Sequence, residues 1–257
     1  MQLYLSASPD QVREAAGFCR NLAHAAYRIG PESALLRKSV LLQTRGGLLS
    51  LSDAQAPMVE DPASLCAQIQ RECSRRGYNG VVLDFEAAPR ADLLALAGQL
   101  SRTLASAKRA LYVTEGYARA AQSASALICT ALSGGSFTQY LQEAAGRMGG
   151  PGRIALDVQR LRMDFRLPAR TGQGDLLTQA QLQALLKQES PSVFFSRDLC
   201  ARYFTYLQEG EAHFVLFDDA DTLRQKLRAG TALGIPAAFF VWPEIRDIAA
   251  ALFSRQG

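Results

Sequence analysis

Residue types that build metal sites and disulfide frameworks are scarce in this chain. Its 257 residues include two His and one Trp, and its five Cys contain no C-x-x-C pair. An odd number of Cys without paired spacing does not support a disulfide framework, and two His do not support a zinc site. We therefore expect no metal and no other cofactor, and we expect free thiols in a reducing compartment.

Long apolar runs and blocks of one charge are also absent. No apolar run reaches the roughly 18 residues that a membrane-spanning helix needs, and the first residues lack the pattern of a signal peptide. The formal net charge of +4 is spread along the chain. These features argue against membrane or nucleic acid partners. They predict a cytoplasmic protein, with cell-wall or spore association left open if an export signal has been trimmed.

Short apolar strands alternate with amphipathic helices along the chain, which is typical of a parallel sheet covered by helices. The first strand is followed by a predicted helix over residues 9–25, and the third predicted strand is "SVLLQT" at 39–44. Eight strands are predicted, starting at Gln2, Ala25, Ser39, Gly80, Ala110, Ala126, Arg153 and Pro236.

Eight such units in about 250 residues predict a (β/α)8 barrel, a TIM barrel. We expect one compact domain over residues 1–257 without an insertion domain. Between the last two strands, the pattern predicts helices at 178–188 and 220–233 and a short strand at 213–219, with the aromatics of "RYFTYLQ" at helical intervals. An open doubly wound sheet is the alternative, but "TRGGLLSLSD" lacks the Gly spacing of a phosphate-binding turn.

Two carboxylates stand out near the end of the fourth predicted strand, "YNGVVLDFE". Side chains alternate along a strand, so Asp84 and Glu86 share a face with Val82 and lie roughly 7 Å apart. At the carboxyl end of a barrel strand they face the region where active sites form. Close carboxylates with little water raise one another's pKa, which suits a general acid. The alternative is an ion pair with Arg or Lys on a neighbouring strand.

This stretch resembles the fourth-strand signature of family 18 glycoside hydrolases, the chitinase family, written D-G-x-D-x-D-x-E. Gly80, Asp84 and Glu86 match it, whereas Asn79 and Val82 replace its first two acidic residues. A second region, "HFVLFDDADTLRQKLRAGTALGIPAAFFVW", is similar to the segment through the eighth strand of the family. The chain most resembles compact bacterial members, including spore-cortex N-acetylglucosaminidases.

The resemblance implies roles for three residues. Glu86 would protonate the glycosidic oxygen, and Asp84 would orient the acetamido group of the substrate, whose own carbonyl attacks the anomeric carbon. Trp242 would lie beneath the sugar ring, although a Trp at a strand end is equally suited to core packing. Trp242 comes one residue later than the usual spacing from Gly234. Either the strand carries a bulge or Val241 occupies the Trp position.

Other residues near the predicted site are open to two interpretations. The sixth strand lacks the Tyr that the family usually places there, and Tyr27 or Tyr117 could replace it. Asp157 and Gln159 either line the pocket or take part in a salt bridge across the barrel. Asp218 and Asp219 favour a helix N-cap over a metal site.

We therefore predict a glycosidase that hydrolyses β-linked N-acetylglucosamine polymers, either chitin oligomers or peptidoglycan, by a retaining, substrate-assisted mechanism. The alternatives are a barrel that binds such sugars without cutting them and a barrel enzyme of unrelated chemistry.

Overall fold

A computed structural model describes residues 1–38, 46–168 and 174–253 of the chain. Its strands in chain order are β1 (Gln2–Ala7), β2 (Leu22–Gly30), β3 (Ala34–Arg37), β4 (Leu48–Ser52), β5 (Gly80–Asp84), β6 (Ala110–Thr114), β7 (Ser125–Cys129), β8 (Ile154–Val158), β9 (Arg162–Arg166), β10 (Asp175–Leu176), β11 (Phe194–Ser196), β12 (Ala201–Gln208), β13 (Glu211–Phe217) and β14 (Ala237–Val241).

The α-helices are α1 (Val12–Ala15), α2 (Pro62–Arg76), α3 (Ala91–Ser106), α4 (Phe137–Met148), α5 (Gln179–Glu189), α6 (Ala220–Ala232), α7 (Trp242–Ile245) and α8 (Ala249–Phe253), with 3₁₀ turns at Pro31–Ser33, Glu115–Tyr117 and Pro151–Arg153. None of the helices in these described ranges is both long and apolar enough to span a membrane.

Eight parallel strands close into a ring. The order around it is β1, β14, β8, β7, β6, β5, β4 and β2, and β1 pairs with β2 to complete the ring. The strand β3 adds an antiparallel edge to β2. The predicted (β/α)8 barrel is confirmed. The third barrel strand is Leu48–Ser52, whereas the predicted strand at 39–44 lies outside the described residues.

Two apolar layers follow from the alternation of side chains along the strands. The inner layer fills the barrel with Tyr4, Tyr112 and Phe239, whose rings pack 4.7–6.0 Å apart, together with small aliphatic residues such as Val82. The outer layer lies between the strands and the helices, which present apolar faces to it. The interior of the barrel is therefore a packed core of side chains.

Local sequence signals set several helix ends. Asp61 caps α2 by accepting a hydrogen bond from the Ser64 amide, and Gly77 ends the helix in the left-handed region. Asp219 caps α6 through a reciprocal capping box with Thr222, as predicted. In contrast, the predicted helix at 9–25 is a single turn, α1, and β2 already begins at Leu22.

The segment between β8 and β14 contains a second sheet that the sequence analysis did not include. Its five antiparallel strands run in the order β10, β9, β13, β12 and β11, and α5 packs on one face through Leu182. The stretch "RYFTYLQ" lies in β12, not in a helix. The ends of this segment are joined, because the amide of Leu161 donates to the Asp218 carboxylate at 2.9 Å and the amide of Asp218 donates to the Leu161 carbonyl at 2.8 Å.

A buried ion pair fastens this junction to the barrel. Lys226 on α6 and Asp218 are both fully buried, with 2.7 Å between Nζ and Oδ2. Lys226 also donates to the carbonyl of Thr130, just after β7, and the Thr222 hydroxyl donates to Asp218. One pair of charges therefore connects α6, the end of β7 and the base of the second sheet.

Candidate active site

The carboxylates of "YNGVVLDFE" lie at the open end of the barrel. Asp84 is the last residue of β5 and is half-buried on the inner side of the barrel, above Val82 in the inner layer. Val81, Leu83 and Phe85 pack in the outer layer against the helices. Glu86 follows two residues beyond the strand and is exposed. The predicted alternation is thus confirmed, and the inner side of β5 ends in acidic groups.

The carboxyl group of Asp84 has a raised pKa. Burial and, to a smaller extent, the charges of Asp157, Glu86 and Asp53 together raise its pKa to about 6 from an ordinary 3.8. The dominant cause is loss of water, and carboxylate repulsion adds to it. No ion pair of Asp84 with Arg or Lys forms within the described residues, which does not fit the salt-bridge interpretation.

Because the pKa of Asp84 is raised in the folded state, the free energy of unfolding depends on pH. The folded state holds this proton more tightly than the unfolded chain, so stability falls as pH rises from about 4 to about 6. We expect Asp84→Asn to be more stable than the parent above pH 6, by on the order of 2–3 kcal/mol, with little difference below pH 4. Urea denaturation at both pH values measures this. Asp175→Asn, which alters an exposed carboxylate on β10, is the control, and an Asp84→Asn difference independent of pH would contradict the expectation.

Asp157 faces the same opening from β8. Its Oδ2 accepts a hydrogen bond from Gln159 Nε2 at 2.7 Å. Burial raises the pKa of Asp157, the Gln159 hydrogen bond opposes this, and the charge of Glu86 raises the pKa again. Arg160 and Arg162 pair with Asp247 and Glu244 instead, so neither forms the salt bridge across the barrel with Asp157, and the pocket role of Asp157 and Gln159 stays a prediction.

The sequence analysis missed Asp53, which follows β4 directly. Its side chain is buried, with 8% of the residue exposed. One carboxylate oxygen accepts the amide of Glu86 at 3.0 Å and the other accepts the amide of Ala87 at 3.1 Å. Asp53 therefore fixes the backbone that carries Glu86. Its position after an apolar strand, like that of Asp84, was the available signal in the sequence.

Removing the Asp53 carboxylate should release this backbone. In Asp53→Ala, we expect the Glu86 and Ala87 amide hydrogens to exchange with solvent about 10- to 100-fold faster, because two charge-assisted hydrogen bonds are lost. Asp53→Asn keeps one acceptor oxygen and should give a smaller increase. Hydrogen exchange followed by NMR measures the effect, and Asp61→Ala, which removes the cap of α2, is the control. Unchanged protection in Asp53→Ala would show that these hydrogen bonds do not hold the loop.

A cavity of about 310 Å³ opens beside Asp84, between β2, β4 and β5. Its lining includes Ser50, Ser52 and the basic residues Arg28 and Lys38. A β-bulge in β2 shapes this wall, because the pairing with β4 shifts between Ala25 and Tyr27. The extra residue changes which later side chains face the barrel mouth.

Tyr27 is among the residues that line this cavity, but the bulge directs its hydroxyl away from the barrel mouth. Tyr27 is buried in the outer layer, where its hydroxyl donates to Glu72 Oε1 at 2.8 Å and lies 3.1 Å from the Tyr78 hydroxyl. Tyr117 is also in the outer layer, edge-on to Phe85 with ring centroids 5.2 Å apart. Neither hydroxyl faces the barrel mouth, so neither replaces the absent Tyr of the sixth barrel strand. Cys129 occupies the inward position at the end of that strand.

Trp242 is likewise not the floor of a sugar site. It is fully buried in the outer layer, packs against Phe18 at 5.2 Å between ring centroids, and donates from Nε1 to Glu14 at 3.4 Å. Strand β14 ends at Val241, which continues the inward series of Ala237 and Phe239 and is 43% exposed. Val241 therefore occupies the position that the resemblance assigned to Trp, and no bulge is present there.

No family model and no curated protein sequence matches the chain. Solved structures do match. A chitinase from Chromobacterium violaceum superposes with a TM-score of 0.68 at 17% identity over 99% of both chains. The spore cortex-lytic enzyme SleL from Bacillus cereus gives 0.66 at 16% identity over 98% of this chain and 74% of that one. A GH18 chitinase from Cycas revoluta in complex with (GlcNAc)3 gives 0.68 at 12% identity over 98% of both.

The chain has the fold of the family 18 chitinases. The resemblance found in "YNGVVLDFE" is thereby confirmed at the level of the fold. Within the family 18 fold, Asp84, Glu86 and Asp157 lie at the carboxyl ends of the strands, where TIM-barrel enzymes build their active sites. Among the described residues, no three His, Cys, Asp or Glu side chains form a group that could hold a metal ion.

Proposed function

We propose that this protein is a glycoside hydrolase that acts on β-linked N-acetylglucosamine polymers. The observation that carries the proposal is the pair Asp84 and Glu86 at the mouth of a barrel with the family 18 fold. The raised pKa of Asp84 supports it, because a carboxyl group that holds a proton near neutral pH can donate a hydrogen bond there.

The proposed mechanism uses one enzymic acid and the acetamido group of the substrate. Glu86, exposed at the mouth, protonates the glycosidic oxygen as the leaving group departs. The carbonyl oxygen of the substrate's own N-acetyl group attacks the anomeric carbon, so no second enzymic nucleophile is required. Ionised Glu86 then removes a proton from the water that opens the cyclic intermediate, and the anomeric configuration is retained.

Asp84 and Asp157 serve this scheme as groups that orient and polarise the acetamide. Protonated Asp84 can hydrogen-bond to Glu86, and ionised Asp84 can accept the acetamide N–H as positive charge develops on it. Asp53 keeps the backbone of Glu86 in place through its two hydrogen bonds. Preorganisation of this kind lowers the barrier because the dipoles need no rearrangement during the reaction.

A direct assay tests the proposal. Chromogenic N-acetylglucosamine oligomers should release the chromophore, and proton NMR of early products should show the β-anomer before mutarotation. An initial α-anomer would contradict the substrate-assisted scheme. Absence of both turnover and binding would contradict the glycoside hydrolase assignment itself.

A second candidate function is sugar binding without hydrolysis. Three inner positions favour it: Val82 replaces an acid on β5, Cys129 stands at the end of the sixth barrel strand, and Val241 takes the Trp position. Loss of one preorganised donor can cost about 10²- to 10³-fold in rate. Oligosaccharide binding measured by calorimetry, without any release of the chromophore, would favour this function over the enzyme.

A further inference from the structure

Two basic side chains line the cavity beside Asp84. Arg28, near the end of β2, and Lys38, just after β3, are both exposed there. We propose that the cleft takes an amino-sugar glycan that bears a carboxylate, as in the lactyl ether of N-acetylmuramic acid, and that Arg28 and Lys38 bind this carboxylate. The inference rests on the proposed function and specifies its substrate class.

The register of three neighbouring strands places Arg28 in the site. Arg28 on β2 is level with Ser52 on β4, and Ser52 is level with Asp84 on β5. Adjacent strands are about 4.8 Å apart, and residues level with each other in a parallel sheet point to the same side. Arg28 is therefore about two strand spacings from Asp84 on the inner side of the barrel.

The bulge in β2 is what gives Arg28 this direction. Ala25 is level with Ser50 and faces the cavity, so strict alternation would turn Tyr27 inward and Arg28 outward. The shift between Ala25 and Tyr27 reverses this, and Tyr27 lies in the outer layer. Because of this bulge, the side chain at the mouth of the barrel is that of Arg28 and not that of Tyr27.

The two cations have little negative charge to pair with. Neither forms an ion pair in the described ranges, and the three remaining segments, residues 39–45, 169–173 and 254–257, contain no Asp or Glu. Lys38 contributes to lowering the pKa of Asp10, which a hydrogen bond from Ser8 lowers more, but Lys38 does not contact Asp10 as an ion pair. Asp84 is the single carboxylate among the residues that line the cavity, so the lining holds two cations and one acid.

An acidic substituent on the glycan supplies what these side chains lack. A chitin chain is uncharged and offers hydroxyl and acetamide groups only. A carboxylate can accept two parallel hydrogen bonds from the guanidinium of Arg28 and a further one from Lys38. Apart from Tyr27, the rest of the wall is small, with three Ala and the two Ser, so a substituent on the sugar ring has room there.

Matched ligands test this inference in the full chain carrying Glu86→Gln, which should bind without cleaving. One ligand is a tetrasaccharide of alternating N-acetylglucosamine and N-acetylmuramic acid, and the other is the same compound with its carboxylates reduced to alcohols. Calorimetry should give about tenfold tighter binding of the acidic ligand at low salt, because two partly exposed ion pairs form. The preference should shrink as salt is raised.

The basic residues are tested by substitution. Arg28→Gln with Lys38→Gln should remove the preference, so that the acidic and the reduced ligand bind with equal affinity. The charge-matched control is Arg20→Gln with Lys108→Gln, since both residues precede barrel strands and so lie at the opposite end. Equal binding of the two ligands, or a preference that survives the double substitution, overturns this inference but not the proposed function. Failure to bind either ligand or chitotetraose overturns both.

Discussion

Substituting Glu86 with Gln should lower kcat on N-acetylglucosamine oligomers by about 10²- to 10⁴-fold, the usual contribution of a general acid and base. Gln has nearly the same shape but cannot deliver a proton to the departing oxygen. The Glu86 side chain is exposed, so the substitution should leave folding and oligosaccharide affinity nearly intact. Steady-state kinetics with underivatised oligomers, followed by the reducing ends that cleavage releases, measure kcat, and calorimetry measures affinity.

Glu60→Gln is the control for this result, because it removes an exposed carboxylate from the loop before α2. It should retain the parental kcat. If Glu86→Gln turned over substrate at the parental rate, another group would have to be the acid. A substrate with a good leaving group needs less protonation, so its kcat should fall less in the same variant.

Substituting Lys226 with Met should destabilise the protein by about 3–5 kcal/mol, because the buried Asp218 loses its counter-charge. Both partners are fully buried, so the Asp218 carboxylate has no contact with bulk solvent. The Thr130 carbonyl would also lose its hydrogen bond from Lys226. Urea denaturation at pH 7 measures the free energy of unfolding.

Two further variants make this expectation specific. Lys187→Met, on the exposed side of α5, should change the free energy of unfolding by less than about 0.5 kcal/mol. Adding Asp218→Asn to Lys226→Met should recover part of the loss, since it removes the unpaired charge. A Lys226→Met protein as stable as the parent would mean that the ion pair contributes no net stability.

The parts of this fold that the sequence predicts are those in which local pattern and burial agree. The stretch "GVVLD" forms β5 because its β-branched residues suit a strand enclosed on both sides, and period-two alternation then directs Asp84 inward. Helix α2 begins after Asp61 and ends before Gly77, where capping chemistry is readable residue by residue. Asp84 and Glu86 stand out in the sequence because they follow an apolar strand with acidic groups.

The sequence predictions differ from the structure where a shift of one residue decides which face of the sheet a side chain occupies. Trp242 begins α7 one position past the strand, so the chain turns before the indole can face the opening. The bulge at Ala26 has no sequence signal of its own, and it moved Tyr27 outward and Arg28 inward. In "RYFTYLQ", aromatics at intervals that fit a helix also fit the two faces of β12, and contacts with β13 determine the strand.

The hydrogen bonds between Leu161 and Asp218 have an evolutionary consequence. The second sheet leaves and rejoins the barrel at one point, so the ends of its chain are held together whatever its length. Closing a longer loop between fixed ends costs only slightly more entropy. Insertions or deletions could therefore reshape this sheet over generations while the barrel strands keep their path. Lineages with this architecture could thus alter the second sheet without disturbing Asp84 at the end of β5.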